Sequence, residues 1–408
     1  MRWPRRRGAR APRLSAELRE RESVKPLELF FDLVFVLGFT QCTALIAADP
    51  TWIGVVRGLA VLAVLWWAWT CYAWLTSVVD PEEGSVRIAM FAAMAGLLIV
   101  AVCVPEAFGD RAVPFVVAYG IVRAAHVGLF ELASRDDPML RRSVSGLAIA
   151  TAVGVGLLVA AAFVDGWVRG ALWGLSIFLD WGGPALLGVG WWSSAEAMEG
   201  WRLVPAHFAE RHNLVIILAL GESIIALGVA AEPGLSLGLY VAVVLGIALA
   251  SAVWWIYFDV VALITERRLI QAQAGRPRNT LARDSYSYLH YPMVAGIVLS
   301  AFGLEEAIAH VDEPLEWVPA FALLGGVAIY LLAHVALRLR NARTLNRQRL
   351  LLALVLLALV PVATTIPALA ALALLDLLIW VMIAYEVGTY DERRYRLRHG
   401  LDIEPPST

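Results

Sequence analysis

Lysine is almost absent from this chain, and charge of either sign is scarce. Lys25 is the only lysine in 408 residues, and charged residues make up 17% of the sequence. Globular domains carry about 25%. Hydrophobic residues reach 60% and the mean hydropathy is +0.70. That balance excludes a soluble enzyme, and it excludes a disordered chain, which holds few apolar residues. Cysteine is scarce too. Cys42, Cys71 and Cys103 all fall in apolar runs. An odd count with none in a loop excludes a disulfide framework. No CxxC or His-x-x-x-His spacing offers a metal site, and there is no glycine-rich phosphate loop. No cofactor is expected. The net charge of −2 and the arginine-rich tails suggest no nucleic-acid partner, because beside a membrane such tails meet anionic headgroups.

What the chain has is long apolar runs, and the bilayer is the partner they imply. A spanning helix needs about 20 largely apolar residues. Twelve segments qualify: 27–47, 54–75, 86–104, 113–133, 144–163, 168–190, 213–231, 236–262, 286–308, 317–338, 350–366 and 368–388. The last two form one apolar stretch broken by Pro361-Val-Ala-Thr-Thr-Ile-Pro367. A single helix there would rise nearly ~60 Å, so two helices and a tight turn fit better. The fold class expected is an all-α integral membrane protein of about twelve transmembrane helices. The expected organisation is a basic tail (1–26), a first six-helix half (27–190), a linker (191–212), a second half (213–388) and a second tail (389–408).

Orientation follows from the basic residues. With the N-terminus in the cytoplasm, 29 Lys and Arg fall on the inner side and three, Arg57, Arg111 and Arg169, on the outer side. The positive-inside rule therefore places both termini in the cytoplasm of a bacterial inner membrane. The first apolar run starts near Leu27, carries Asp32 and has no small-residue cleavage site. It reads as an uncleaved span, not a secretory signal.

The halves echo one another. Residues 95–107 and 295–307 align without gaps at Ala95/Ala295, Gly96/Gly296, Ala101/Ala301, Glu106/Glu306 and Ala107/Ala307. Trp66-Trp67-x-Trp69 matches Trp254-Trp255-x-Tyr257, and Ala125-His126-Val127 matches Ala333-His334-Val335. Asp180 and Asp376 both sit in the sixth helix of their half. Six helices per half makes these parallel repeats, with a shared site near their interface.

Charged residues inside spans cost about 2.5–3.5 kcal/mol each on insertion scales and so mark pairs or pathways. Glu28 and Asp32 lie one turn apart at the start of the first helix. Capping explains Glu28, whereas Asp32 lies deeper and needs a partner. Glu222, flanked by Gly221 and Ser223, is the sharpest candidate, because it stands mid-span. Locking of helix contacts is its ordinary alternative. Glu210-Arg211-His212-Asn213 reads equally well as capping and headgroup contact. Arg123 and His126 share a face at i, i+3, and Arg123 needs an acid among Glu222, Asp180 and Asp376. Asp259 ends an aromatic run that an interfacial belt explains without it. His290 and His334 read as packing histidines.

Three landmarks together resemble a known family. They are Glu28-Leu-Phe-Phe-Asp-Leu-Val-Phe-Val36, Glu210-Arg211 through Gly221-Glu222-Ser223-Ile-Ile, and Trp254-Trp-Ile-Tyr-Phe-Asp259. With Trp66-Trp67 through Asp80 and Arg87, they are similar in order to the bacterial low temperature requirement A (LtrA) proteins. The chain departs from that family at Ser77-Val-Val-Asp80, where an Asn-Arg-Phe-Asp type sequence is common. The resemblance implies an inner-membrane protein and adds weight to Glu28, Asp32, Glu222 and Asp259. It supplies no reaction. The expected function is transport of an ion, proton or small solute. A non-catalytic sensor in cold adaptation and a lipid-directed membrane enzyme are the alternatives.

Overall fold

The computed structural model describes residues 23–182, 198–230 and 236–398, and among them the chain is entirely helical. The tail before residue 23, the end of the sixth expected span (183–190), the start of the expected linker (191–197), residues 231–235 and the residues after 398 lie outside the described residues. Twelve helices follow in order: α1 Pro26–Ala48, α2 Trp52–Thr76, α3 Gly84–Cys103, α4 Ala112–Ala133, α5 Pro138–Ala161, α6 Gly166–Asp180, α7 Pro205–Ala230, α8 Leu237–Gln271, α9 Arg276–Ala309, α10 Trp317–Ala342, α11 Arg347–Ala363 and α12 Ala368–Arg398. Nine of these described helices are long and apolar enough to cross a membrane. The other three are α6, α7 and α11. Of these, α6 has 15 described residues and α11 has 17, about 22 and 26 Å at 1.5 Å per residue. α7 has 26 residues and carries His207, Glu210, Arg211 and His212 in its first two turns.

Local chemistry sets the ends. Thr51 accepts from Gly54 N at 3.2 Å to cap α2, and Asp137 accepts from Met139 N and Leu140 N to cap α5. Both satisfy amides that a helix start leaves open. Between α11 and α12 the chain does turn, at Thr364–Pro367, and Pro367 forms an isolated bridge with Pro314. α7 starts two turns earlier than the apolar pattern places it. Pro205 suits a first helical turn, and His207, Arg211 and His212, which follow it, are buried.

Two helices carry π-turns. In α9 this covers Arg283–Tyr288, just before Pro292. Proline has no N–H and cannot close the ladder from the preceding turn. Carbonyls within the π-turn itself are used by other groups. Ser287 O accepts from the Trp66 indole at 2.7 Å, and Ser285 O lies 2.8 Å from His290 Nδ1. Trp74 Nε1 adds a bond to Ser287 Oγ at 3.0 Å. α2 is thereby fastened to α9 across the two halves.

Neighbour relations among the first six helices recur among the second six. α1 packs on α2 and α3, α3 on α4, α4 on α5, α5 on α6, and α2 on α6; α7 packs on α8 and α9, α9 on α10, α10 on α11, α11 on α12, and α8 on α12. The register matches as well. A Cβ at Gly96 would meet Val122 and Ala118 O, and one at Gly296 would meet Tyr330 and Gly326 O. That register, shared by His126 and His334, sets Leu331 opposite Arg123. The first six helices meet the second six where α1 and α2 pack on α7 and α9.

Candidate functional site

The acids singled out in the sequence do not converge. They fall into separate places along the bundle, with different surroundings at each.

The first place is the start of α1. Glu28 and Asp32, spaced i, i+4, face His207 and Arg211 of α7, also spaced i, i+4. Arg211 Nη1 lies 2.7 Å from Glu28 Oε1 and Nη2 lies 2.6 Å from Asp32 Oδ1. His207 Nε2 is 2.8 Å from Glu28 Oε2, and Trp69 Nε1 donates to Asp32 Oδ1 at 2.8 Å. Thr76 accepts from Arg211 at 3.0 Å, and the guanidinium lies 5.6 Å over the Trp69 ring. Glu28, Asp32 and Arg211 are all completely buried. One arginine thus bridges two carboxylates and draws α1, α2 and α7 together. Arg211 is therefore a buried counter-charge, not a headgroup contact. The matched i, i+4 spacing on both helices was the signal that could have found it.

Beside this cluster lies a group of rings that the sequence gave little reason to join. His212 packs edge-on to Trp69 at 4.8 Å and against His290 at 5.3 Å between ring centres. Tyr257 OH is 2.8 Å from both Asn213 Oδ1 and His290 Nε2. A phenol carries one proton, so it serves one acceptor at a time. His212 Nδ1 lies 2.8 Å from Phe208 O, and its Nε2 has no partner among the described residues. Residues of α7, α8 and α9 meet here. Tyr257 of α8 touches Asn213 of α7 as Trp69 of α2 touches Asp32 of α1. Asp32-Leu-Val and Asn213-Leu-Val are the matching triplets.

The second charged place is wholly within the first half. Arg123 Nη2 lies 2.9 Å from Asp180 Oδ1, and Thr151 Oγ1 lies 3.3 Å from the same oxygen. Arg123 also donates to Thr151 at 2.6 Å and to Cys71 Sγ at 3.0 Å. His126 Nε2 lies 2.9 Å from Cys71 O. This cluster binds α2, α4, α5 and α6, and a buried pair of this kind is costly to break by removing one side.

Glu222 stands apart from both. It is 2% exposed, on the face of α7 that meets α1, and accepts from Thr40 Oγ1 at 2.6 Å. Thr43 follows one turn on. No salt bridge reaches it from the described residues. Glu305 of α9 lies within electrostatic reach. Ser223 lines a small void with Leu220, Leu249, Ile297 and Ser300 between α7, α8 and α9. Asp259 sits at the break in α8, on a cleft at the end that carries the basic loops. Asp376 in α12 is 4% exposed, and neither of its carboxylate oxygens has a partner among the described residues. No group of three or more described His, Cys, Asp or Glu residues is placed to hold a metal.

A family model for the bacterial low temperature requirement A protein matches residues 23–384. The chain belongs to the LtrA family. A Rhizobium meliloti (strain 1021) protein, "Uncharacterized protein RA0937", is similar at 27% identity over 324 residues, covering 78% of each chain. No solved structure matches. The LtrA landmarks coincide with the first cluster. Glu28 and Asp32 come from the first motif and Arg211 from the second, and the second motif also supplies Glu222.

Proposed function

We propose that this LtrA protein carries a proton, cation or small solute across the bacterial inner membrane, with Glu222 as the group that binds or relays it. The observation that carries this reading is the surroundings of Glu222. A carboxylate in the bilayer interior needs a counter-charge, a proton or a bound cation. Glu28, Asp32 and Asp180 have arginines; Glu222 has a hydroxyl from Thr40. A hydroxyl accommodates either the protonated acid or a carboxylate sharing a cation.

Its position supports the same reading. Glu222 lies where α1 meets α7, between the halves, and parallel repeats place transport sites there. We read the chain as two six-helix repeats spanning the membrane twelve times with both termini cytoplasmic. The recurring neighbour relations, the Gly96 and Gly296 contacts and the distribution of basic residues support that reading. Proteoliposomes containing the full chain, tested under H⁺, Na⁺ and K⁺ gradients, provide the test. Flux in the wild type that Glu222→Gln abolishes is the expected result. Equal flux in both would remove Glu222 from the path.

A further inference from the structure

A cleft at the basic-loop end of the second half lies apart from the Glu222 and Arg211 clusters. It holds a cavity of about 210 Å³ between α8, α10, α11 and α12. Part of its lining is apolar, from Trp255, Val261, Ile264 and Ile383. The rest is polar and rich in arginine: Arg268, Arg338 and Arg349, with Asn341, Thr344 and Asn346.

The charges are unequal. Glu386 is engaged by Arg349 in a two-pronged pair, Nε to Oε1 at 3.0 Å and Nη2 to Oε2 at 2.8 Å. Arg349 Nη1 also donates to Ile256 O at 3.3 Å. Arg268 and Arg338 also line the cleft, and the lining acids are Glu386 and Asp259. Arg338 is steadied through Nε by the Thr344 hydroxyl at 3.0 Å, which fixes the side chain without using its two terminal amino groups. His334, 2% exposed, also lines the cleft. Its Nδ1 is 2.8 Å from Tyr330 O, so Nδ1 carries the proton and Nε2 is a buried acceptor without a partner among the described residues. The cleft therefore presents guanidinium groups for an anion and an imidazole nitrogen for a hydroxyl.

We infer that this cleft binds a phosphate ester that also bears a hydroxyl, as in a glycerophosphate headgroup. Arginine matches phosphate oxygens in paired hydrogen bonds. The apolar lining and the place at the membrane edge suit an anionic lipid, whose chain would lie along Ile264 and Ile383. The site is independent of the Glu222 reading.

The test uses the full chain, purified in detergent and titrated with phosphatidylglycerol, phosphatidylcholine and soluble glycerol 3-phosphate, followed by native mass spectrometry. Arg268→Ala with Arg338→Ala should weaken phosphatidylglycerol binding at least about tenfold, the loss expected for charged hydrogen bonds. Arg340→Ala, on the same end of α10 but paired with Asp284, should leave it unchanged. Arg268→Ala alone, at an exposed position, gives a variant that folds if Arg338 proves necessary for structure. Preference for the anionic lipid supports a lipid source. Binding of glycerol 3-phosphate with the same arginine dependence supports the site with a soluble source. Equal binding of both lipids, or binding indifferent to the arginines, overturns the proposal.

Discussion

On the proposed two-repeat reading Asp180 in α6 and Asp376 in α12 occupy corresponding helices, but among the described residues only Asp180 has a counter-charge. Arg123 reaches it at 2.9 Å, and Thr151 shares the same oxygen. In α10 the residue matching Arg123 is Leu331, and Asp376 has both oxygens unpartnered among the described residues. The second helices differ in the same sense. Trp69 donates to Asp32, a carboxylate already held by Arg211, whereas Tyr257 meets the neutral Asn213 and His290. The first half thus fixes its buried charges in pairs, with Arg211 supplied from α7. The later helices hold one such pair, Arg349 with Glu386, and two buried acids, Glu222 and Asp376, that no salt bridge reaches from the described residues. A paired buried charge is rigid, since losing one partner strands the other. A bare acid exchanges a proton or cation with little rearrangement. On the proposed reading the first six helices form a frame, and the transport chemistry is assigned to Glu222.

The sharpest way to break this contrast is Arg211→Met, which strands both Glu28 and Asp32. We expect a loss of about 3–5 kcal/mol or more, seen as failure to recover monodisperse protein or as a much lower unfolding midpoint. Arg123→Leu gives the first half the residue found in the second. It should cost about 3 kcal/mol alone, and adding Asp180→Leu should restore most of that loss, because two apolar groups then replace the pair. Additive losses in the double variant would show that the two do not act together.

The matched glycines predict a smaller difference. A methyl at Gly296 would meet backbone, Gly326 O at 2.6 Å and Tyr330 N at 2.9 Å. At Gly96 the near atom is a Val122 side-chain methyl at 2.6 Å, with Ala118 O at 3.9 Å. Gly296→Ala should therefore cost about 2–3 kcal/mol and Gly96→Ala about 1 kcal/mol, read from denaturation curves. The smallest effect belongs to Asp376→Asn. Stability should stay within about 0.5 kcal/mol or rise, because no described hydrogen bond is lost and a buried acid is removed. A loss above about 2 kcal/mol would mean that Asp376 is anchored.

Much of the frame could be read from the chain. Runs of about 20 apolar residues mark spanning helices because the bilayer offers no other partner for backbone groups, and the break at Pro361–Pro367 marks a turn. Pairings were less legible. Arg123 needed an acid, but helix order around the bundle decides which one, and that order is not encoded locally. The burial of Arg211 and His212 was hidden because α7 extends to Pro205, and polar residues at a span's edge usually mean capping. The link from Trp66 and Trp74 to Ser287 depends on a π-turn before Pro292. The proline was visible, but the remote donors that use the π-turn carbonyl were not.

The most direct test of this division is flux through proteoliposomes holding wild type, Glu222→Gln and the Arg123→Leu, Asp180→Leu pair in parallel. The account predicts that Glu222→Gln inserts and folds but carries no gradient-driven flux, while the pair-replaced protein still transports. Wild-type flux from Glu222→Gln would contradict it.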